Sequence, residues 1–514
     1  MIPPKNIRKA IRIRPFVVMA AFLFFTPFAD AQFSMNERCM EAYHSILMLH
    51  FGESHKLLNA EKTENPGNPV PEFLENYMDF LTLFIGEERN QYAKLKDNIP
   101  RRIGLFEKGN RSSPFFLFTI AEVNLQWAFI RLKFGDYTMA ALEVRKAYQL
   151  FQENQRIFPD FLPNKLGLGV IHILAGMIPE NYRWMARMVG VDGSMEKGLD
   201  EINQIAYYDG PDKTFRMFRP EAMFYLSVIS ANLVKDKATA LGIIRLMEDS
   251  FSDEPRQVSP LLIYARASIL MKNGYNENAL GILTARIQDH NACPFYYLDY
   301  LEGMAKLNKL DFQAGVSFKR FLDGFNGINY VKATYQKLAW IGFLKGDTSL
   351  YFKNMALVKG LGNSIVDEDK QAIHEAEKAI LPNAILLKAR LLCDGGYYNL
   401  ALKELLDNSL PSFLKTRKDF LEYSYRLGRI YHESGNNQKA LQNYSQTIDR
   451  GKNEPYYFAA AASYQMGLIY ENQGKYAKAD SVYRLCISIR TPEYKTSLNQ
   501  KAKAGLNRLR KYSY

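Results

Sequence analysis

Residues 428–444 read GRIYHESGNNQKALQNY, and residues 467–483 read GLIYENQGKYAKADSVY. Gly428, Tyr431, Gly435, Ala440 and Tyr444 thus recur 39 residues later as Gly467, Tyr470, Gly474, Ala479 and Tyr483. A looser copy stands 39 residues earlier, as Ala389, Leu392, Gly396, Ala401 and Leu405. A constant step with small and aromatic residues at fixed offsets marks stacked helical hairpins. The first helix needs a small residue where the second crosses it closely, and a large one a turn further on. A glycine or polar residue makes the turn. A small residue on the second helix, followed one turn later by an aromatic, faces back into the seam.

Working outward, Ala267, Leu270, Gly274, Ala279 and Leu283 form another unit, and Val228, Ala231, Lys235, Ala240 and Ile244 a degenerate one. Ala339, Gly346 and Asp347 mark a further unit, Gly303 and Phe312 a poor one. Ala128, Gly135, Asp136, Tyr137, Ala140 and Val144 repeat the pattern near the start. Pro220, Pro260, Pro294, Pro382 and Pro455 fall where first helices should open, where a missing N–H costs nothing. Convincing strand signals are absent. The expectation is an all-α chain, an α-solenoid over 216–494 preceded by a helical region over 32–215.

The order of residues in these units resembles the tetratricopeptide repeat (TPR), whose own step is about 34 residues. Tyr398 and Tyr476 also fill a TPR position, from which Asn437 departs. The longer step implies longer helices or loops. The resemblance is closest over 380–490. It implies a concave face lined by first helices, and carries onto Arg390 and Cys393 in one unit. In the next it carries onto Glu422, Tyr425, Arg429 and His432, and in the last onto Tyr464, Leu468 and Glu471. Arg390 and Arg429 hold the same place in consecutive units. With Tyr425 and Tyr464 they suit a peptide carrying acidic and apolar groups. The basic clamp by which some TPR proteins hold a C-terminal carboxylate is not reproduced.

Residues 160–200 break the repeat. They contain Gly167, Gly169, Gly176-Met177-Ile178-Pro179, Tyr182-Arg183-Trp184, Gly190, Gly193 and Gly198. No phosphate-loop spacing follows Gly167 and Gly169. Glycines allow two helices to pack closely, and a membrane-touching hairpin or a small-ligand pocket are alternatives. This segment and the general plan resemble a eukaryotic TPR family tied to inclusion-body clearance and lipid droplets, the TPR-domain-39 type. That resemblance implies a non-catalytic adaptor.

The N-terminus holds Lys5, Arg8, Lys9, Arg12 and Arg14, then apolar residues from Phe16 to Phe28, then Ala29-Asp30-Ala31. This is the pattern of a secretory signal peptide cleaved after Ala31. The following junction resembles exported proteins of Bacteroidota, so a periplasmic or outer-membrane-associated location is expected. Removing the leader's five basic residues and one acid takes the formal charge from +12 to +8. Six of those charges are Lys495, Lys501, Lys503, Arg508, Arg510 and Lys511. A basic end, not a nucleic-acid-binding body, explains the net charge. Residues 495–514 read as a capping helix whose Leu498, Ala502, Leu506 and Leu509 cover the last repeat, with possible contact to an anionic membrane surface. Beyond the leader no stretch reads as long and apolar enough to span a membrane, so the mature chain is expected to be soluble.

Cys39, Cys293, Cys393 and Cys486 are single and far apart, which favours buried free thiols. His44, His50 and His55 do not share a helix face, His374-Glu375 lacks a second histidine, and His290 with Cys293 lacks a second pair. No metal, cofactor or nucleophile signature is present. The chain is therefore read as an exported, non-catalytic scaffold for a protein or peptide partner. The alternatives are an outer-membrane-associated helical protein binding a glycan or small ligand, and a hydrolase centred on 160–200.

Overall fold

A computed structural model describes residues 32–510 apart from 178–189, 192, 233–236, 251–257, 288, 408–412 and 492–493. The leader, Ile178, Pro179, Tyr182, Arg183, Trp184, Lys235 and Lys511 lie outside the described residues. The secondary structure is helical, with no strand among the described residues. Neighbouring helices pair as hairpins: Arg417–Glu433 with Asn437–Gly451, and Phe458–Asn472 with Tyr476–Ser488. The extra residues of the long step go partly into these helices, the first two of 17 and 15 residues.

The repeated glycines do two jobs. Gly396, Gly435 and Gly474 turn the chain between helices with φ of 82°, 85° and 69°, a conformation that a side chain disfavours. Gly428 and Gly467 lie under aromatic rings. A Cβ on Gly428 would stand 2.5 Å from the Tyr444 ring, and one on Gly467 2.2 Å from Tyr483. The unit that looked poor makes the same contact, because a Cβ on Gly303 would meet Phe318 at 2.6 Å. Its turn uses Leu310, at φ 63°, in place of glycine. Pro260 occupies the first residue of its helix and Pro220 the second of its own, while Pro294, Pro382 and Pro455 precede theirs.

In the N-terminal half, Pro114–Phe134 pairs with Tyr137–Ile157, and Pro163–Met177 with Met195–Ala206. The second pair explains Gly169 and Gly198, whereas Gly190 has nothing within 4 Å and a φ of 66°. A Cβ on Gly169 would stand 2.7 Å from the Gly198 carbonyl oxygen, and one on Gly198 2.5 Å from that of Gly169. Gly167 sits beneath the Phe151 ring. The helix Pro114–Phe134 corrects the hydropathy reading. It is long and apolar enough by length and composition to cross a membrane, with a window mean hydropathy of 1.3, and 78% of that window is buried within the protein. It is apolar on all sides because helices pack around it.

The array curls instead of running straight. Gly396 meets Gly274 so closely that a Cβ would lie 2.0 Å from the Gly274 carbonyl oxygen. Beside them Asn276 Nδ2 donates to the Tyr397 hydroxyl at 3.0 Å, and that hydroxyl donates to Glu277 Oε1 at 2.8 Å. The N-terminal helices close the curl from the other side. Ser259 Oγ donates to the Leu47 carbonyl at 2.6 Å, Cys293 N to that of Leu49 at 2.8 Å, and Asn329 Nδ2 to Glu87 Oε2 at 2.8 Å. One apolar core consequently extends from Phe33 to Leu391, across residue 215. The last hairpins have their own core, against which Leu498, Ala502 and Leu509 of Lys495–Leu509 are buried and Leu506 is partly buried.

All four cysteines are free, with Cys39, Cys393 and Cys486 buried and Cys293 half-buried. Burial pushes the thiols of Cys39, Cys393 and Cys486 up to about 12. Ellman's reagent should titrate at most Cys293 in the native protein at pH 8, and the others only after denaturation. Gly467→Ala should cost about 1–3 kcal/mol in chemical denaturation, through collision with Tyr483. Gly281→Ala, in a helix with nothing within 4 Å of the added carbon, should instead stabilise by roughly 0.4–1 kcal/mol.

Candidate partner-binding face

Arg390 projects from Ala384–Asp394 and Arg429 from the next first helix, Arg417–Glu433. The two guanidinium groups share Asp394, at 3.7 Å from Arg390 and 4.0 Å from Arg429. Both keep about a quarter of their side-chain surface exposed, 25% and 24%. Arg429 also faces Glu433 at 3.7 Å, and its Nε has no hydrogen-bond partner. Glu422 accepts from Arg426 at 2.8 Å, one turn along its own helix. The sequence thus places the arginine pair together.

The other residues carried over from the repeat are less available. Tyr425 is 4% exposed, its ring among those of Tyr444, Tyr457 and Phe458 at 5.7–6.3 Å. Tyr464 is 7% exposed and stands against Tyr483. Little of either ring remains for a partner to touch. Cys393 is buried and Leu468 half-buried. His432 Nδ1 lies 3.5 Å from the Tyr444 hydroxyl. Glu471 already accepts from Tyr483 Oη at 2.6 Å and from Arg508 Nε at 2.7 Å. The last helix therefore occupies the end of the row. These bonds outweigh burial and hold the Glu471 carboxyl below its ordinary range.

Several residues at this face are invisible to repeat counting. Lys337 and Trp340 come from Val331–Leu344, Gln371 from Asp367–Lys378 and Lys501 from the last helix. The Arg390 guanidinium stands over the Trp340 ring at 5.3 Å, and Lys337 Nζ over the same ring at 3.9 Å. Trp340 Nε1 donates to Glu375 at 2.8 Å. With its amide oriented to satisfy its neighbours, Gln371 accepts from Arg390 at 3.0 Å and from the Tyr494 hydroxyl at 3.1 Å. Burial, then Arg390, pushes the Lys337 ammonium down to about 7, against the pull of Glu375, Glu368 and Asp394. The Trp340 face beneath it offsets part of that shift. Burial and the charges of Lys272 and Arg429 lower Lys501 as well, with Asp367 opposing. Of these cations Lys337 is buried, Arg390 and Arg429 keep about a quarter of their surface, and Lys501 is exposed. Trp340 was the one available signal, as a rare residue beside a small repeat position.

A second polar cluster lies in the glycine-rich region. His172 Nδ1 is 2.6 Å from Glu201 Oε2, and Lys197 Nζ is 3.2 Å from His172 Nε2. An ammonium at Nε2 assigns the ring proton to Nδ1, donating to Glu201. His172 is 2% exposed, and the cluster ties the two close helices together. No serine, threonine or cysteine appears among these contacts. Among the described residues no three His, Cys, Asp or Glu side chains stand together as metal ligands would.

The hairpin geometry has a counterpart among known proteins. Residues 460–491 match the family model described as tetratricopeptide repeat. The match covers the hairpin of Phe458–Asn472 and Tyr476–Ser488. Solved structures similar to this chain include the TPR domain of P58(IPK), at 13% identity over 84% of this chain and 98% of that one, with a TM-score of 0.22. Another is yeast Tom70, at 12% identity over 84% and 97%, with a TM-score of 0.20. At those scores neither likeness adds to the geometry. No curated protein matches the chain.

The Lys337 environment has a pH signature. A base whose folded pKa lies below its unfolded value destabilises the fold while the unfolded chain holds the extra proton. That cost is fully present below about pH 7 and fades as pH rises toward the ordinary lysine range. Lys337→Met should therefore melt higher than the wild type at pH 7, with the gap narrowing by pH 10, in scanning calorimetry.

Proposed function

We propose that this chain is a non-catalytic TPR scaffold that holds a protein partner through an acidic segment laid against the Arg390–Arg429 face. The observation that carries the reading is the Arg390–Arg429 pair, set on consecutive first helices, each about a quarter exposed and facing the same Asp394. An incoming carboxylate there meets the exposed parts of two preformed guanidinium groups and competes with Asp394 for them. Since Tyr425 and Tyr464 are largely covered, charge and not aromatic stacking supplies the specificity. The leader-like N-terminus supports export, and the partner is then an envelope protein. TPR arrays serve as interaction scaffolds, which supports this reading.

Cross-linking in envelope fractions, followed by identification of the captured protein, tests this reading. Arg390→Gln combined with Arg429→Gln should lower recovery of that partner at least about fivefold, with an unchanged circular dichroism spectrum. Wild-type recovery should fall as salt rises, because exposed charges are screened within about 10 Å at 0.1 M. Undiminished capture by the double variant moves the site off this face.

A further inference from the structure

Between the N-terminal helices and the start of the array lies a cavity of about 550 Å³. Close-packed interiors leave few voids larger than a water molecule. This volume falls instead in the range of about 300–1,000 Å³ that holds small molecules. Phe80, Phe84, Phe129, Ile173, Phe224 and Leu262 supply much of its wall. Val144, Leu174 and Val228 line it while keeping partial exposure, whereas Leu47, Tyr77 and Leu81 are buried. The cavity thus has an accessible side and a dry end.

One carboxylate lines this apolar space. Glu221 is buried and accepts from the Tyr43 hydroxyl at 2.6 Å and from that of Tyr77. Tyr225 donates to it as well. Glu122, also buried, is close enough for the two carboxyls to oppose each other's ionisation. Burial pushes Glu221 up, and burial followed by the Glu221 charge pushes Glu122 well above the usual carboxylate range. Two consequences follow for anything that enters. A second anion is repelled at the dry end. The hydroxyls of Tyr43, Tyr77 and Tyr225 are committed to Glu221, so a ligand head group beside it must bring its own donor.

We propose that this cavity binds a neutral single-chain amphiphile, its hydrocarbon chain along the aromatic wall and its hydroxyl head donating to Glu221. The inference is independent of the partner-binding face, whose residues lie on other helices.

Isothermal titration of the mature chain with 1-decanol and with decanoate at pH 8 tests the proposal. Saturable one-to-one uptake of decanol is expected, with decanoate at least tenfold weaker. Val144→Trp, which fills the cavity from its accessible side, should weaken decanol at least tenfold while leaving partner capture intact. If that variant fails to fold, Glu221→Gln serves instead. It keeps an acceptor for the tyrosines but removes the negative charge, and should narrow the alcohol-over-acid preference to under threefold. Absence of saturable decanol uptake by the wild type, equal binding of decanoate, or wild-type behaviour of a folded variant overturns the proposal.

Discussion

A missing Cβ beneath an aromatic ring sets the spacing of this molecule. Where Gly428 faces Tyr444, Gly467 faces Tyr483 and Gly303 faces Phe318, the two helices of a hairpin come close enough for the ring to lie flat against backbone. Any side chain at the glycine would push the ring out and open the seam. Because the device recurs, successive hairpins present equivalent edges to one another, and the stack follows. The same economy governs Gly169 and Gly198, where the contact is backbone to backbone. There the closeness leaves no room for intervening side chains, and the His172–Glu201 pair locks the two helices together.

The stacking accumulates into a curl, and the curl makes the electrostatics. Lys272, Asp367, Arg429 and Lys501 are widely separated in sequence, yet each perturbs the field at the last helix. Repeats laid in a straight row would set such groups further apart, where screening makes their mutual influence small. Deeper in the same face Lys337 is buried beside Arg390, and Asp394 stands against the guanidinium groups of Arg390 and Arg429. The N-terminal helices gain from the same closure: by docking onto the turns of the array they create a dry interior large enough to matter chemically.

What could be read from the sequence divides by range. The turn glycines and the small-under-aromatic contacts span one hairpin, so their offsets survive as a visible step. Arg390 and Arg429 were legible because neighbouring units repeat one face. Tyr425 misleads because it stands three residues before Gly428, close enough to the seam-facing stripe for its ring to be drawn among Tyr444, Tyr457 and Phe458. Lys337 nears Asp394, and Lys501 nears Lys272 and Arg429, only through the packing of distant helices, which no local spacing encodes. The Tyr43–Glu221 and Tyr77–Glu221 bonds span 178 and 144 residues. Helix Pro114–Phe134 is marked by its repeat residue Ala128, but its membrane-like length and hydropathy follow from its being wrapped on every side by other helices.

The contact between Gly274 and Gly396 bears on how such a chain can evolve. An open solenoid tolerates duplication or loss of a unit, since each neighbour accepts any other. Here the units between the two glycines form the arc of a closed loop, and its circumference is fixed by their number. Adding or deleting one hairpin would carry the two turns past each other and leave Asn276 and Tyr397 without their partners. Repeat number within that arc should therefore be held constant across relatives, with variation in length confined to the hairpins beyond it.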